Sequence, residues 1–249
     1  MAAKKADDMM EFIKVEGVKN YPNESCGLVL KDKAGKSITV ACKNISDTPR
    51  ENFVIDPQDY AEAAERGDVI AVWHTHIEIP SRASDADKVG CERTQMPWFI
   101  VSVRKATQDR FEFEGPTLIN PSGFEMPYLE RPYVPGVLDC YSLAQDYYRI
   151  EHGIILGNYP IRLPDGSPGY KQFVTQYEKE GFVRLINEEL KSGDSIIMQI
   201  ATEHPSHWGI YLGDGVFMHH QHGRLSRKDI YGGMWQKHTT HHLRHKRLM

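Results

Sequence analysis

The sequence lacks most features that mark a membrane-spanning, secreted or nucleic-acid-binding protein. Its 249 residues contain no apolar run near 18 residues, so it predicts no transmembrane helix and no membrane insertion. The start, MAAKKADDMMEFIKV, has no apolar core, and we therefore expect no secretory signal. Positive charge is not in excess, because 34 Asp and Glu oppose 30 Lys and Arg and give a net charge of −4. This balance disfavours nucleic acid as the main partner.

Cysteine is scarce as well. The four cysteines lie far apart and form no CxxC pair, which excludes a zinc ribbon and gives no disulfide framework. We expect reduced thiols made in a cytoplasm. Cys26, Cys42 and Cys91 have no histidine partner in their neighbourhood and are interpreted as structural.

The first half of the chain alternates between helix and strand signals. Helical spacing of apolar residues, Pro at a helix start and Gly at a helix end predict helices, and short β-rich runs predict strands. The predicted helices are 7–18, 57–67 and 84–93, and the predicted strands are 27–32, 37–44, 68–76, 98–103 and 111–115. Helices and strands interleaved in this way favour an α/β or α+β layer domain.

The pattern changes after a stretch that carries five prolines between residues 116 and 137. We predict two domains, 1–116 and 131–249, with a linker at 117–130. The second domain is predicted to be α+β, with helices before strands. Its predicted elements are a helix after Asp139, a loop at 160–169, helical stretches at 171–182 and 184–190, and strands at 195–200, 207–213 and 215–220. The basic, His-rich end, 238–249, is interpreted as a solvated tail rather than a metal site.

One candidate site lies at the end of the predicted strand 68–76. Residues i and i+2 of a strand point to the same side, so His74 and His76 can reach one metal ion. A carboxylate from the following helix would complete three protein ligands, as in a hydrolytic zinc site. Asp85 and Asp87, at the start of the predicted helix 84–93, are both candidates for this role. An HxH pair alone is also compatible with two surface histidines.

The wider pattern resembles the JAMM (MPN, Mov34) metalloproteases over about residues 8–115. The resemblance rests on HxH, on Ser84 and Asp87 after it, on NESCGLVL upstream and on NFVIDPQDY at 52–60. It implies a mixed α/β/α layer domain in which His74, His76 and Asp87 bind one Zn²⁺. It also implies Glu24 as the general base and Ser84 as a residue that helps to hold the oxyanion. Some members of this family keep the fold without the metal, and that alternative stays open. Asp56 and Glu78 are interpreted as solvated charges.

A second candidate site combines a cysteine with two histidines. Cys140 follows Asp139 at a predicted helix start, where the helix dipole is expected to lower the pKa of the thiol. A hairpin turn at 213–215 joins two strands that carry His207 and His219, and antiparallel pairing would bring these rings together. We therefore expect Cys140 to be alkylated faster than the other three thiols at neutral pH.

These residues resemble the NlpC/P60 cysteine peptidases of the papain-like superfamily over about 131–245. The resemblance rests on DC at a helix start, on Gly193-Asp194 before a strand, on HWGIYLG and on a histidine after the hairpin. It implies Cys140 as nucleophile, His207 as base and His219 as the orienting residue, with His220 as second choice. Tyr133 occupies the place of a family tyrosine near the oxyanion site. The sequence has DCYS where the family commonly has DCSG, which we expect to affect the rim of the pocket. Binding of glycan-peptide without cleavage is the alternative.

The order of the two domains resembles the tail-tip assembly proteins of lambda-type tailed phages. This implies a role in building a tail tip, with bacterial peptidoglycan stem peptides and phage tail-tip proteins as partners. The second domain would cleave the stem between D-glutamate and diaminopimelate. The substrate of the zinc domain stays open, a tail protein being one hypothesis. The expected locations are the host cytoplasm during assembly and the phage tail tip. The alternatives are an assembly factor that uses silent peptidase folds for docking and a free-standing cell-wall enzyme, which the expected lack of an export signal disfavours.

Overall fold

The computed structural model describes residues 2–159 and 169–249, which form two units, Met1–Glu125 and Met126–Met249. The predicted loop at 160–169 falls almost entirely outside the described residues. Within those two described ranges, no helix is long and apolar enough to cross a bilayer.

The first unit is built on a five-stranded mixed sheet. Its strands are β1 (Cys26–Lys31), β2 (Ser37–Cys42), β3 (Asp68–Ile77), β4 (Trp98–Lys105) and β5 (Phe111–Ile119), in the order β2-β1-β3-β4-β5. Only β3 and β4 are parallel among these five, so a helix must cross between them. The helices are α1 (Ala2–Asn20), α2 (Pro57–Arg66) and α3 (Asp85–Thr94).

Helices cover both faces of this sheet, which confirms the predicted α/β/α layers. On one face Ile13 of α1 packs with Val29, Ala71, Trp73 and Val101 of the strands. The other face carries the core of α2 and α3, composed of Leu28, Leu30, Val40, Ala63, Val72, Cys91 and Trp98. Alternate residues of β1 and β3 therefore serve different cores, as expected for strands buried on both sides.

The second unit contains a six-stranded sheet in the order β10-β9-β8-β7-β11-β6, in which neighbouring strands run antiparallel. The strands are β6 (Phe182–Arg184), β7 (Ser195–Met198), β8 (His207–Gly213), β9 (Val216–His219), β10 (Arg227–Ile230) and β11 (Thr239–His245). The helices are α4 (Cys140–His152), the short α5 (Phe173–Gln176) and α6 (Met234–Lys237). The predicted α+β class is confirmed.

Helix α4 packs on this sheet through a largely aromatic core. Its Tyr148 lies edge-on to Phe182, with ring centroids 5.2 Å apart, and Phe182 in turn contacts Trp208 at 5.7 Å. Leu143, Ile197 and Met218 fill the space between helix and strands. The helix begins at the nucleophile candidate, so this packing fixes where the thiol sits.

Three sequence-based predictions in the second unit differ from the structure. In the predicted helix 184–190, residue 184 ends strand β6 and residues 185–190 are irregular. In 171–182 only α5 and the 3₁₀ turn before it are helical. The predicted tail at 238–249 contains β11, which lies between β7 and β6 and contains the fully buried Leu243. The polar composition of this segment gave no strand signal. Arg244 can be buried in the strand because it forms an ion pair with Asp194, which is distant in the sequence.

The connection between the units begins later than predicted. Strand β5 continues through Ile119, so residues 117–119 of the predicted linker lie in the sheet. Residues 122–124 then bind the side chain of Glu92 on α3 through the backbone nitrogens of Ser122 and Phe124. These contacts hold the segment up to residue 124 on the first unit.

Candidate active sites

The first candidate site forms where β3 ends and α3 begins. His74 and His76 project from the same face of β3, and Asp87 is the third residue of α3, the helix that crosses to the parallel strand β4. All three side chains are buried, with exposed fractions of 1%, 4% and 6%. A His-x-His strand followed by a crossover helix therefore brings two imidazoles and one carboxylate to one point.

The ligand atoms of this trio converge. His74 Nε2 lies 3.1 Å from Asp87 Oδ1, and His76 Nε2 lies 3.2 Å from Asp87 Oδ2. Burial opposes ionisation of Asp87, but the adjacent histidines outweigh it and hold the pKa of the carboxyl well below its usual range. Burial lowers the pKa of His74, so its neutral form is favoured.

These atoms fit a metal ion. His76 Nδ1 lies 2.8 Å from the carbonyl oxygen of Pro80 and donates to it, so Nε2 is the ring nitrogen that faces the carboxylate. His74 Nε2 faces the other carboxylate oxygen, Asp87 Oδ1, and His74 Nδ1 has no hydrogen-bond partner. Two imidazole nitrogens and a carboxylate that converge in this way are a suitable ligand set for a metal cation. Nitrogen and oxygen ligands about 2.0 Å from a tetrahedral zinc ion lie about 3.3 Å apart, close to the distances found here.

Glu24 reaches this site from the connection between α1 and β1. The pairing of β1 with β3 matches Cys26 to His74 and continues past the strand end, where Thr75 N donates to Ser25 O at 2.9 Å. The next residue, Glu24, therefore lies beside His76. Its side chain is 4% exposed, and burial raises the pKa of the carboxyl to about 8.

Ser84 and Asp85 have different roles at the start of α3. Ser84 is the N-cap of the helix, and its hydroxyl donates to Asp87 Oδ2 at 2.7 Å while accepting from Asp87 N. It holds the carboxylate in place. Asp85 is exposed and pairs with Lys88 at 2.7 Å, so the structure places Asp87 and not Asp85 with the histidines.

Phe53 was missed by the sequence analysis, although it belongs to the NFVIDPQDY stretch. Its ring stacks on His74, with centroids 4.5 Å apart and planes 24° apart. Trp98 approaches the same imidazole edge-on at 5.7 Å. These two rings hold the imidazole of His74 in place beside Asp87. Asp56, interpreted as a solvated charge, is the N-cap of α2, and Glu78 accepts a hydrogen bond from Tyr21.

The second candidate site lies at the N-terminus of α4. Asp139 caps the helix in a capping box with Ser142, which fixes Cys140 as the first helical residue. The thiol is 6% exposed, and its Sγ lies 4.0 Å from the carbonyl oxygen of Ser206, the residue before His207. The nucleophile and base candidates are thus brought together by α4 packing on β8.

The thiol is not acidic in this state. Burial and the charge of Asp139 raise the pKa of Cys140 to about 12, and they outweigh the backbone N–H groups of Trp208, Tyr141 and Cys140 itself. The pKa lowering expected from the helix dipole is therefore wrong for the resting structure. Burial likewise lowers the pKa of His207 to about 3. The pair rests as a neutral thiol and a neutral imidazole.

The structure distinguishes the three histidine candidates by their contacts. His207 Nε2 lies 2.9 Å from His219 Nδ1, across the hairpin that the sequence predicts. His220 is fully buried and lies edge-on to Tyr133 at 5.0 Å. His219, and not His220, contacts the base candidate.

Asp229, which the sequence did not indicate, contacts the other ring nitrogen of His219. Its Oδ2 lies 3.1 Å from His219 Nε2 and accepts from Arg227 Nη2 at 2.8 Å. Nothing in the surrounding sequence marks it, because its relation to His219 depends on the pairing of β9 with β10.

The residues around the thiol also include the two aromatic positions considered from the sequence. The pKa of Tyr133 is raised by burial and by the charges of Cys140 and Asp139, and its ring lies edge-on to His220 at 5.0 Å and His222 at 4.9 Å. Tyr141 is buried. Its ring stacks on Tyr159 at 4.7 Å and meets Trp208 edge-on at 5.2 Å. The residue after Cys140 thus contacts the residue after His207, which holds the two candidates in register.

Comparison with known proteins matches each unit to a different family. Residues 8–114 match prokaryotic homologs of the JAB domain, and residues 130–244 match the NlpC/P60 family. The chain is 35% identical over 239 residues to tail tip assembly protein K of Escherichia phage N15, covering 95% of this chain and 94% of that protein. It is 26% identical over 193 residues to tail tip assembly protein K of Escherichia phage lambda, covering 77% and 89%.

Among solved structures, an NlpC/P60 family protein from Bacillus cereus matches 93% of this chain and 66% of its own length, with 14% identity and a TM-score of 0.34.

Proposed function

Because the chain belongs to the family of tail tip assembly protein K, with a JAB-like domain followed by an NlpC/P60 domain, we propose that it is a tail-tip assembly protein with peptidase activity. The second unit is a cysteine endopeptidase that cleaves peptidoglycan stem peptides between D-glutamate and diaminopimelate. The first unit is a zinc metallopeptidase, and a tail protein is its candidate substrate. The chain acts in the host cytoplasm during assembly and at the tail tip.

The observation that carries the cysteine peptidase is the contact of His207 with His219 beside a thiol at a helix start. As Cys140 Sγ attacks the peptide carbonyl, His207 takes the thiol proton, so no free thiolate is needed beforehand. The first backbone N–H groups of α4 face the thiol and can donate to the developing oxyanion. His207 then gives its proton to the leaving amine as the C–N bond breaks. Water then attacks the thioester carbonyl while His207 accepts its proton, the C–S bond breaks to release the carboxylic acid, and His207 returns the proton to Cys140 Sγ.

Hydrolysis of a synthetic stem tripeptide, L-Ala-D-Glu-diaminopimelate, tests this proposal. The full chain should release diaminopimelate, and Cys140→Ala should abolish the release. Cys91→Ala is the matched control, because Cys91 is a buried free cysteine of the other unit. Equal release by wild type and Cys140→Ala would overturn the assignment of the nucleophile.

His74, His76 and Asp87 support the zinc proposal through their convergent, buried ligand atoms. A bound Zn²⁺ would supply Lewis-acid polarisation of a carbonyl group. Ser84 keeps the Asp87 carboxylate oriented, and Glu24 is the proposed general base. Its pKa is raised to about 8 by burial, and the positive charge of a bound Zn²⁺ would lower that pKa and favour the carboxylate that a base needs.

Zinc content by mass spectrometry tests the metal site. The full chain should carry about one zinc per molecule, and Asp87→Ala should lose it because one of three protein ligands is gone. Asp85→Ala should keep its zinc, since that side chain pairs with Lys88. Loss of zinc from both variants, or its absence from the wild type, would count against these ligands.

The alternative function is a structural assembly factor whose peptidase folds serve as docking surfaces. Complementation of a phage that lacks this protein separates the two. If Cys140→Ala and Asp87→Ala both restore normal tails, docking is sufficient for assembly. If either fails while the folded protein is present, the corresponding site is required.

A further inference from the structure

A row of three polar side chains crosses three neighbouring strands of the second unit. His207 lies on β8, His219 on β9 and Asp229 on β10. The register pairs Gly209 with His219 and Phe217 with Asp229, so each member is the diagonal neighbour of the next. The nitrogens of the two histidines are 2.9 Å apart, and His219 Nε2 is 3.1 Å from Asp229 Oδ2.

This row determines which ring nitrogens carry protons. A carboxylate accepts hydrogen bonds, so His219 Nε2 must carry a hydrogen and donate it to Asp229. In the neutral ring, His219 Nδ1 is then an acceptor, and the hydrogen between the two rings must belong to His207 Nε2. His207 Nδ1 is left unprotonated, as a base requires.

Neighbouring groups hold the row rigidly. Arg227 donates to Asp229 Oδ2 through Nε at 3.0 Å and Nη2 at 2.8 Å. Phe217 stacks on His219 at 4.5 Å, and Trp235 meets the same imidazole edge-on at 4.6 Å. The side chain of His219 is fully buried between these groups, so it can rotate little.

We propose that Asp229 is a positioning residue of the cysteine site: through His219 it sets the tautomer of His207 that leaves Nδ1 free to take the Cys140 proton. The role in catalysis rests on the proposed peptidase function. The tautomer itself does not, because it follows from the hydrogen bonds.

Nitrogen NMR of the full chain labelled with ¹⁵N-histidine tests the tautomer directly. The ring signals of His207 and His219 are assigned with His207→Gln and His219→Gln. In the wild type both rings should carry their hydrogen on Nε2. In Asp229→Ala the Nε2–H form of His219 should lose its dominance, whereas Lys228→Ala, an exposed neighbour on β10, should match the wild type.

Two further variants separate the carboxylate from the stability of β10. Asp229→Asn keeps an acceptor oxygen and should keep more of the wild-type tautomer than Asp229→Ala. Arg227→Ala removes the cation but leaves the carboxylate, and His219 should stay Nε2-protonated. An unchanged His219 tautomer in a folded Asp229→Ala protein would overturn the proposal.

Stem-tripeptide kinetics test the consequence for catalysis. A positioned base contributes about 10²–10⁴-fold, so loss of its orientation in Asp229→Ala should lower kcat by about 10–100-fold with KM little changed. Asp229→Asn should fall between the wild type and Asp229→Ala. Wild-type kcat in Asp229→Ala would overturn the positioning role. If the wild type itself cleaves nothing, the peptidase function fails and the NMR spectra alone decide the tautomer.

Discussion

At the scale of the residue, Cys140 combines a nucleophile's position with a thiol that stays protonated. Burial raises its pKa to about 12, and the helix N-terminus does not compensate. Proton transfer to His207 during attack, rather than a standing thiolate, therefore has to activate it. We therefore expect the resting thiol to react slowly with small electrophiles.

Alkylation of the full chain by iodoacetamide at pH 8 should accordingly modify Cys42 before Cys140. Cys42 is only half-buried, while Cys140 is 6% exposed, and the pKa of each is raised. This reverses the expectation from the sequence, which considered the helix dipole alone. Peptide mapping by mass spectrometry gives the order, and preferential labelling of Cys140 would contradict the buried, neutral thiol.

His207 should make the second unit acid-sensitive. Its pKa is lowered to about 3 by burial, whereas in the unfolded chain it stays near 6.5. Between these values the unfolded state binds a proton that the folded state does not, so the free energy of unfolding falls as the pH falls. A single proton contributes about 1.4 kcal/mol per pH unit.

Urea unfolding of the wild type, His207→Gln and the exposed control His204→Gln between pH 4 and 7 measures this effect. The wild type and His204→Gln should lose stability more steeply toward acid pH than His207→Gln. Parallel pH profiles for all three proteins would contradict a buried neutral His207.

At the scale of the element, strand β11 is held to the sheet by a buried ion pair. Arg244 donates to Asp194 through Nε at 2.8 Å and Nη2 at 2.7 Å, and both side chains are nearly inaccessible. Asp194 directly precedes β7, so this pair joins β11 to the start of β7.

Asp194→Ala should destabilise the second unit by about 3–5 kcal/mol, because it leaves the Arg244 guanidinium buried without its partner. Glu188→Ala is the matched control: Glu188 lies 3.5 Å from the same guanidinium but is 53% exposed, and its loss should cost less than about 1 kcal/mol. Hydrogen exchange of β7 and β8 reports both effects. Equal destabilisation by the two variants would show that burial does not determine the strength of the pair.

The elements that could be predicted from the sequence are those with a local signal. Pro57 at a helix start, Ser84 and Asp139 as caps, and the Gly213–Gly215 turn each determine structure within a few residues. Strand β11 and the irregular stretch after β6 could not be predicted. The apolar content of 184–190 favours a helix locally, and only pairing with distant strands decides otherwise.

The same distinction applies to the candidate sites. His74, His76 and Asp87 are near one another along the chain, so their spacing indicates a metal site. Asp229 is linked to His219 only through the β9–β10 register, and no local pattern marks it. The protonation of Cys140 depends on burial, which the sequence does not give.

At the scale of the whole molecule, each unit has its own sheet, its own core and its own candidate site. The histidines and carboxylate of the first unit share no residue with the cysteine site of the second. Loss of zinc in Asp87→Ala should therefore leave stem-peptide cleavage at the wild-type rate. Loss of Cys140 should likewise leave the zinc content at one per chain.

Digestion of purified Gram-negative peptidoglycan tests the central claim most directly. Wild type, Cys140→Ala and Asp87→Ala are compared, and the released fragments are identified by mass. We expect new ends between D-glutamate and diaminopimelate with the wild type and Asp87→Ala, and none with Cys140→Ala. Cleavage that survives in Cys140→Ala, or no cleavage by any of the three proteins, would contradict the assignment of the second unit as the wall-cutting peptidase.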